Sequence, residues 1–142
     1  MYFDTAYIFK FYRAEPESPQ LRTLVTLAAG GIHSSSLAVL EFHSTLHRAM
    51  RENAYTREEA GAIADRFATH IEDGLWRIAP LTDSLLRRTS SKVLAGPENL
   101  FLRAGDAIHL STARELGETE VWTNDRHMKA AAAWFGLTAR SL

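Results

Sequence analysis

Residues 1–12 read MYFDTAYIFKFY. Met1, Tyr2 and Phe3 suit the start of a buried strand. Tyr7, Ile8, Phe9, Phe11 and Tyr12 supply the apolar face of a following helix. Between the two stands Asp4, a carboxylate, and carboxylates are among the side chains least often fully buried. A strand that runs through an acid into a helix is the opening of a parallel α/β unit. In such folds, side chains at the carboxyl ends of strands face the ligand crevice. The rest of the chain repeats this grammar.

Strand-like and helix-like segments alternate through all 142 residues. Met1–Asp4 reads as a strand and Thr5–Arg13 as a short helix stopping before Pro16 and Pro19. Gln20–Ala29 reads as a helix ended by Gly30 and Gly31, Ile32–Ser35 as a brief strand, and about Leu37 to Asn53 as a long helix. Thr56 opens a helix with Glu58 and Glu59 in its first turn, and Gly74 can cap its end. Leu75–Ala79 reads as a strand, Thr82 as the N-cap of a helix to about Leu94, and Gly105–Leu116 as a helix closed by Gly117. Glu120–Thr123 is a strand, Arg126–Phe135 a helix closed by Gly136, and Leu137–Arg140 a last short strand. Short strands joined by helices imply right-handed crossovers and a mostly parallel sheet covered on both faces.

Composition sets the bounds. Hydrophobic residues make up 46% and charged residues 23%, an ordinary globular balance for one domain spanning residues 1–142. No apolar run approaches the ~20 residues of a membrane span, and no basic segment leads into a signal-like run, so a cytoplasmic protein without membrane contact is expected. The chain has no cysteine. Disulfides, thiolate zinc sites and cysteine nucleophiles are therefore excluded. A net charge of −1 provides no global positive field, so an anionic substrate needs a local basic patch or a bound cation. There is no internal repeat, low-complexity segment or linker.

Four acids stand at or near helix starts. Asp4 follows the first strand, and Asp125 follows EVWTN. Glu41 lies one turn into the helix after IHSSS, among Leu37, Leu40 and Ser44. Asp106 sits in the first turn of GDAIHLSTARELG. Singly, Asp4, Asp106 and Asp125 can each be helix caps or first-turn acids, worth about 0.5–2 kcal/mol. Glu41 fits that role less well, because it lies past the first turn and needs a partner. Jointly, four carboxylates in one crevice repel one another, and the sequence offers no matching set of buried Lys or Arg. A divalent cation resolves the cost, and an all-oxygen donor set suits Mg²⁺ or Mn²⁺. Such an ion polarises phosphoryl oxygens and generates hydroxide from water. Repulsion and desolvation should then raise the pKa of at least one of these acids, and Asp106→Asn should stabilise the ion-free protein. The remaining acids, Glu58, Glu59, Glu115 and Glu118, read as solvated.

With these acids goes a resemblance. The sequence resembles a PIN-domain ribonuclease of the VapC toxin type across essentially the whole chain. The stretches that carry it are MYFDTAYIFKFY, SSSLAVLEFHSTLHRA near residue 40, LRAGDAIHLSTA near 106 and VWTNDRHMKAAAAWFGL near the end. The resemblance implies a PIN-like three-layer α/β/α sandwich with a short, mostly parallel central sheet. It implies a metal-dependent endoribonuclease that hydrolyses RNA phosphodiesters with Mg²⁺ (or Mn²⁺), catalytic and metal-binding residues Asp4, Glu41, Asp106 and Asp125, and supporting hydroxyls at Thr5 and Thr123. It also implies a cognate antitoxin and a toxin homodimer. One departure is Ala6, where the family often has Ser or Thr, which touches only a supporting hydrogen bond.

Arg103 and Arg126 adjoin Asp106 and Asp125 respectively within three residues in sequence, which nominates them for RNA phosphate contacts. His43 and His47 have zinc-motif spacing but no glutamate after the first and no third ligand, so a surface pair is expected. His109 belongs to a packing stripe beside Asp106, and His127 to a solvated helix start. Two other readings share part of the pattern. A haloacid-dehalogenase-type phosphatase also opens with an aspartate after its first strand, but needs a second aspartate where Ala6 stands. A receiver-like or scaffold domain would bind a cation in the acidic pocket without catalysis.

Overall fold

The structure, a computed structural model, describes residues 1–28 and 30–142. Five strands, β1 (Tyr2–Phe3), β2 (Ile32–Ser35), β3 (Trp76–Ala79), β4 (Glu120–Trp122) and β5 (Thr138–Arg140), form one sheet in the order β3-β2-β1-β4-β5. Every pairing is parallel. Among the described residues seven α-helices connect them: α1 (Thr5–Tyr12), α2 (Ser18–Leu27), α3 (Leu37–Arg51), α4 (Arg57–Glu72), α5 (Asp83–Leu94), α6 (Ala104–Glu115) and α7 (Arg126–Ala132). The chain moves from β1 outward to β3 on one side, then returns across β1 to add β4 and β5 on the other. The crevice between the carboxyl ends of β1 and β4 is thus a topological switch point, the place where such sheets bind ligands.

The two residues of β1 explain the layers. Successive side chains of a strand point to opposite faces. Phe3 enters the core on one face with Tyr7, Ile8, Phe42, Phe67 and Trp76, drawn from α1, α3, α4 and β3. Tyr2 enters the other with Leu110, Val121, Met128 and Phe135. Phe42 and Phe67 stack with centroids 4.0 Å apart, locking α3 onto α4. The result is a three-layer α/β/α sandwich.

Local signals set most element ends. Thr56 and Glu59 form a reciprocal capping box at the start of α4, and the Thr82 hydroxyl accepts from the Leu85 N–H at the start of α5. Gly74, Gly117 and Gly136 take left-handed φ values of 77°, 78° and 71° where the α4, α6 and C-terminal helical segments end. Several boundaries shift by a residue or two from expectation, and two of the differences have a local cause. α2 begins at Ser18, because Pro19 is tolerated in a first turn where its missing N–H costs nothing. Its expected end at Ala29 lies outside the described residues. The helix expected over Arg126–Phe135 tightens into a 3₁₀ turn at Ala133–Phe135.

Candidate active site

Asp4 leaves β1 and immediately caps α1, with its Oδ1 accepting from the Tyr7 N–H at 2.7 Å. Asp125 plays the same part at β4, its Oδ1 accepting from the N–H groups of His127 (2.7 Å) and Met128 (3.0 Å) at the start of α7. For both acids the cap reading and the site reading hold together. A carboxylate that caps the helix after a parallel strand is thereby anchored at the crevice. Glu41 arrives from α3 and Asp106 from the first turn of α6. All four line one cleft of about 800 Å³, together with Thr5, His109 and Asn124.

The environments of the acids differ. Asp4 is only 5% exposed, and burial raises its pKa against the hydrogen bonds from Thr123 and Tyr7 and the attraction of His109. Burial also pushes Glu41 up, but hydrogen bonds from His109 and Thr5 outweigh it and its carboxyl titrates below the usual range. The donors are the Thr5 hydroxyl and the His109 Nε2, the latter 2.9 Å from Glu41 Oε2. Asp125 titrates low as well: partial burial is outweighed by the Met128 N–H and the Arg103 guanidinium. Burial, with the Glu41 carboxylate nearby, therefore unsettles the ionised form of Asp4.

No buried set of Lys or Arg lies among the acids, but one half-exposed arginine, Arg103, reaches two of them. Its Nε and Nη2 reach Asp106 Oδ2 and Oδ1 at 2.8 and 3.2 Å, and Nη2 also reaches Asp125. The guanidinium is half-exposed, so it stands at the mouth of the cleft rather than in the core. Sequence missed this because Asp106 and Asp125 become neighbours only through the fold. Glu118, expected to be solvated, instead joins the Met1 ammonium (2.6 Å) and His33 Nδ1 (2.7 Å) at the opposite end of the sheet.

The other nominated residues fall as follows. Thr123 is fully buried, and its hydroxyl accepts from the Asp125 N–H at 3.0 Å. Thr5 serves Glu41 rather than the adjacent Asp4. Arg126 is not among the cleft residues, and its Nε contacts His127 Nε2 at 3.1 Å. His43 binds its own helix at the Val39 carbonyl. Lys10, Arg13, Arg48 and Arg51 also line the cleft. Of these, Lys10 pairs with Glu17 and Arg13 with Glu15, whereas Arg48 and Arg51 have no acidic partner among the described residues.

Whether a divalent cation suits these residues turns on donor chemistry. The donor set is all oxygen, one member is a buried carboxylate with a raised pKa, and the Cβ-less Gly105 lets α6 approach Glu41: a Cβ there would lie 3.2 Å from Glu41 Oε1. These features fit a hard cation. Among the described residues no three acidic or histidine side chains share a common point for an ion. Arg103 draws Asp106 and Asp125 onto its own guanidinium and supplies the counter-charge in this arrangement.

A parallel α/β sandwich with an acid-lined cleft at its strand-exit switch point is the class that fold and site define. The PIN domain family model matches residues 1–133, and the chain belongs to that family. No curated protein matches the sequence. Among solved structures, FitAcB from Neisseria gonorrhoeae shares the fold with a TM-score of 0.72 at 17% identity, over 97% of this chain and 94% of that one. Mycobacterium tuberculosis VapC20, described as a sarcin-ricin loop cleaving toxin, gives 0.69 at 17% identity over 92% and 93%. Rickettsia felis VapBC2 bound to a promoter DNA fragment gives 0.68 at 14% identity over 99% and 96%. No helix among the described residues is long and apolar enough to cross a membrane.

Proposed function

We propose that this PIN-domain protein is a Mg²⁺- or Mn²⁺-dependent endoribonuclease acting as the toxin of a toxin–antitoxin pair. The observation that carries the reading is the cleft itself, where Asp4, Glu41, Asp106 and Asp125 arrive from four separate elements at the switch point. Asp4, Glu41, Asp106 and Asp125 would hold the cation. The ion, when bound, supplies a Lewis acid for the scissile phosphate and lowers the pKa of attacking water. The chain's own part is positioning. Helix caps fix Asp4 and Asp125, the Thr5 hydroxyl and His109 fix Glu41, and Thr123 fixes the backbone ahead of Asp125.

RNA as substrate rests on the family and on the unpaired rim. Arg48 and Arg51 lie seven and ten residues beyond Glu41 on α3, so about 10 and 15 Å along the helix from it. Two unpaired guanidiniums at that spacing suit successive phosphates of a strand entering along α3. They are better placed for this than Arg126, while Arg103 stands beside the acids at the scissile position. Solved structures of the fold that contain toxin–antitoxin complexes support a cognate antitoxin as partner; a toxin homodimer is part of the same proposal.

Cleavage of a structured RNA, followed with Mg²⁺ or Mn²⁺ and with EDTA, tests the proposal. The wild type should cut only with the ion. Asp4→Asn and Asp106→Asn should lose cleavage with the fold intact, and Asp73→Asn, at the exposed end of α4, should retain it. Cleavage at wild-type rates by both acid variants would remove the assigned role.

A further inference from the structure

His109 lies on α6, three residues past Asp106, and is 3% exposed. Its two ring nitrogens have different partners. The Tyr2 hydroxyl is 2.8 Å from Nδ1, while Nε2 has Glu41 Oε2 at 2.9 Å and, at 3.2 Å, the Thr5 hydroxyl, whose own proton goes to Glu41. An ionised carboxylate can only accept, so Nε2 must carry a proton. In the neutral imidazole Nδ1 is then an acceptor and the Tyr2 hydroxyl must donate to it. Burial holds that hydroxyl in its protonated form, since its pKa is pushed well above the usual phenol range. The polarity of the chain is therefore set from Tyr2 through His109 to Glu41.

Each link is rigid. Tyr2 is fully buried on the central strand, paired in register with His33 on one side and Val121 on the other. The rings of Tyr2 and His109 meet edge to face, with centroids 5.9 Å apart. Glu41, by contrast, is a flexible side chain more than a third exposed at the cleft. Left alone, it would sample several rotamers. We infer that His109 is a positioning residue, oriented by the Tyr2 hydroxyl, whose Nε2–H fixes the Glu41 carboxylate at the cleft. The strand core thus sets the aim of an acid that belongs to α3. The consequence for cation binding rests on the proposed function, whereas the orientation of His109 does not.

Two measurements separate these levels. In metal-free protein at neutral pH, ¹H–¹⁵N correlation spectra of the histidine rings should show His109 protonated at Nε2 alone. In Tyr2→Phe the fixed donor to Nδ1 is gone, and the pattern should become a mixture of tautomers. An Nδ1–H tautomer in the wild type, or an unaltered pattern in Tyr2→Phe, would overturn the inference whether or not the protein binds metal. Calorimetric titration with MnCl₂ then reads the consequence. Loss of groups that orient metal-binding side chains commonly costs about 10- to 100-fold in affinity. His109→Leu should therefore bind Mn²⁺ at least about tenfold more weakly than wild type. His109→Gln, whose amide can place an N–H where Nε2 stood, should stay within about threefold. A His109→Leu protein that folds and binds Mn²⁺ like the wild type would sink the inference. If His109→Leu does not fold, Tyr2→Phe takes its place, with weaker Mn²⁺ binding expected and wild-type binding contradicting the account. A wild type that binds no Mn²⁺ alongside the expected ring pattern would remove the proposed function and leave the positioning of Glu41 standing.

Discussion

Gly105→Ala separates stability from activity at a single atom. Gly105 is the second residue of α6, and alanine is favoured over glycine within a helix by about 0.5–1 kcal/mol. The added Cβ would meet Glu41 Oε1 at 3.2 Å and Leu37 Cδ2 at 3.9 Å. The second contact is ordinary. The first is tight, and the carboxylate must yield by a few tenths of an ångström. It can do so cheaply in folding terms, being the end of a half-exposed side chain. Net stability should therefore hold or rise, and 1 kcal/mol in a domain of this size moves the melting temperature by about 2–4 °C. Activity should move the other way. Misplacing a reacting group by 1 Å can cost about 100-fold, so a shift of a few tenths should cost about three- to tenfold in kcat. Thermal melts in EDTA, paired with single-turnover RNA cleavage at saturating Mn²⁺, read both effects. A stabilised variant that cleaves at the wild-type rate would refute the claim that the position of Glu41 matters.

Asp4 sets the pH dependence of the ion-free protein. Its folded pKa lies above its unfolded value, so its contribution to stability is complete below the unfolded pKa and is lost as pH rises through the folded one. Asp4→Asn, which can still cap α1, should be the more stable protein at pH 7 in EDTA and lose that advantage near pH 4; urea melts across that range would show it. Arg103→Gln should bind Mn²⁺ about two- to fivefold more tightly in calorimetry, since a half-exposed guanidinium no longer competes for Asp106 and Asp125, and weaker binding would contradict that assignment. Replacing Arg48 and Arg51 together by Gln, in an Asp106→Asn background that cannot cleave, should flatten the salt dependence of single-stranded RNA binding by about 1.4 in log–log slope, read by fluorescence anisotropy.

Much of the site was legible because it follows from local grammar. A strand that ends in an acid and runs into a helix places that acid at the crevice, and Asp4 and Asp125 obey the rule. Thr56, Thr82 and the closing glycines marked their helices for the same reason: capping chemistry is contained within a few residues. What sequence did not reveal depends on contacts made across the fold. Arg103 lies three positions before Asp106, but its reach to Asp125, 22 positions away, has no local signal. The Thr5 hydroxyl passes over its neighbour Asp4 to reach Glu41, 36 positions away. Glu118 looked solvated because its neighbours in sequence are polar, whereas its partners are Met1, just before β1, and His33 in β2. Sequence adjacency also favoured Arg126 for phosphate contact. The cationic rim instead follows α3, where Glu41, Arg48 and Arg51 share the cleft side at helical spacing. That stripe was readable in outline, but only after Glu41 had been placed at the cleft.

The central claim is that the four acids hold one divalent-cation site at the switch point. Diffraction from crystals grown with MnCl₂, recorded at the manganese absorption edge, tests it most directly. The account predicts an anomalous peak in the cleft bounded by Asp4, Glu41, Asp106 and Asp125, with the Arg103 guanidinium withdrawn from Asp106. A cleft without a peak at millimolar Mn²⁺, with Arg103 still bridging Asp106 and Asp125, would contradict it.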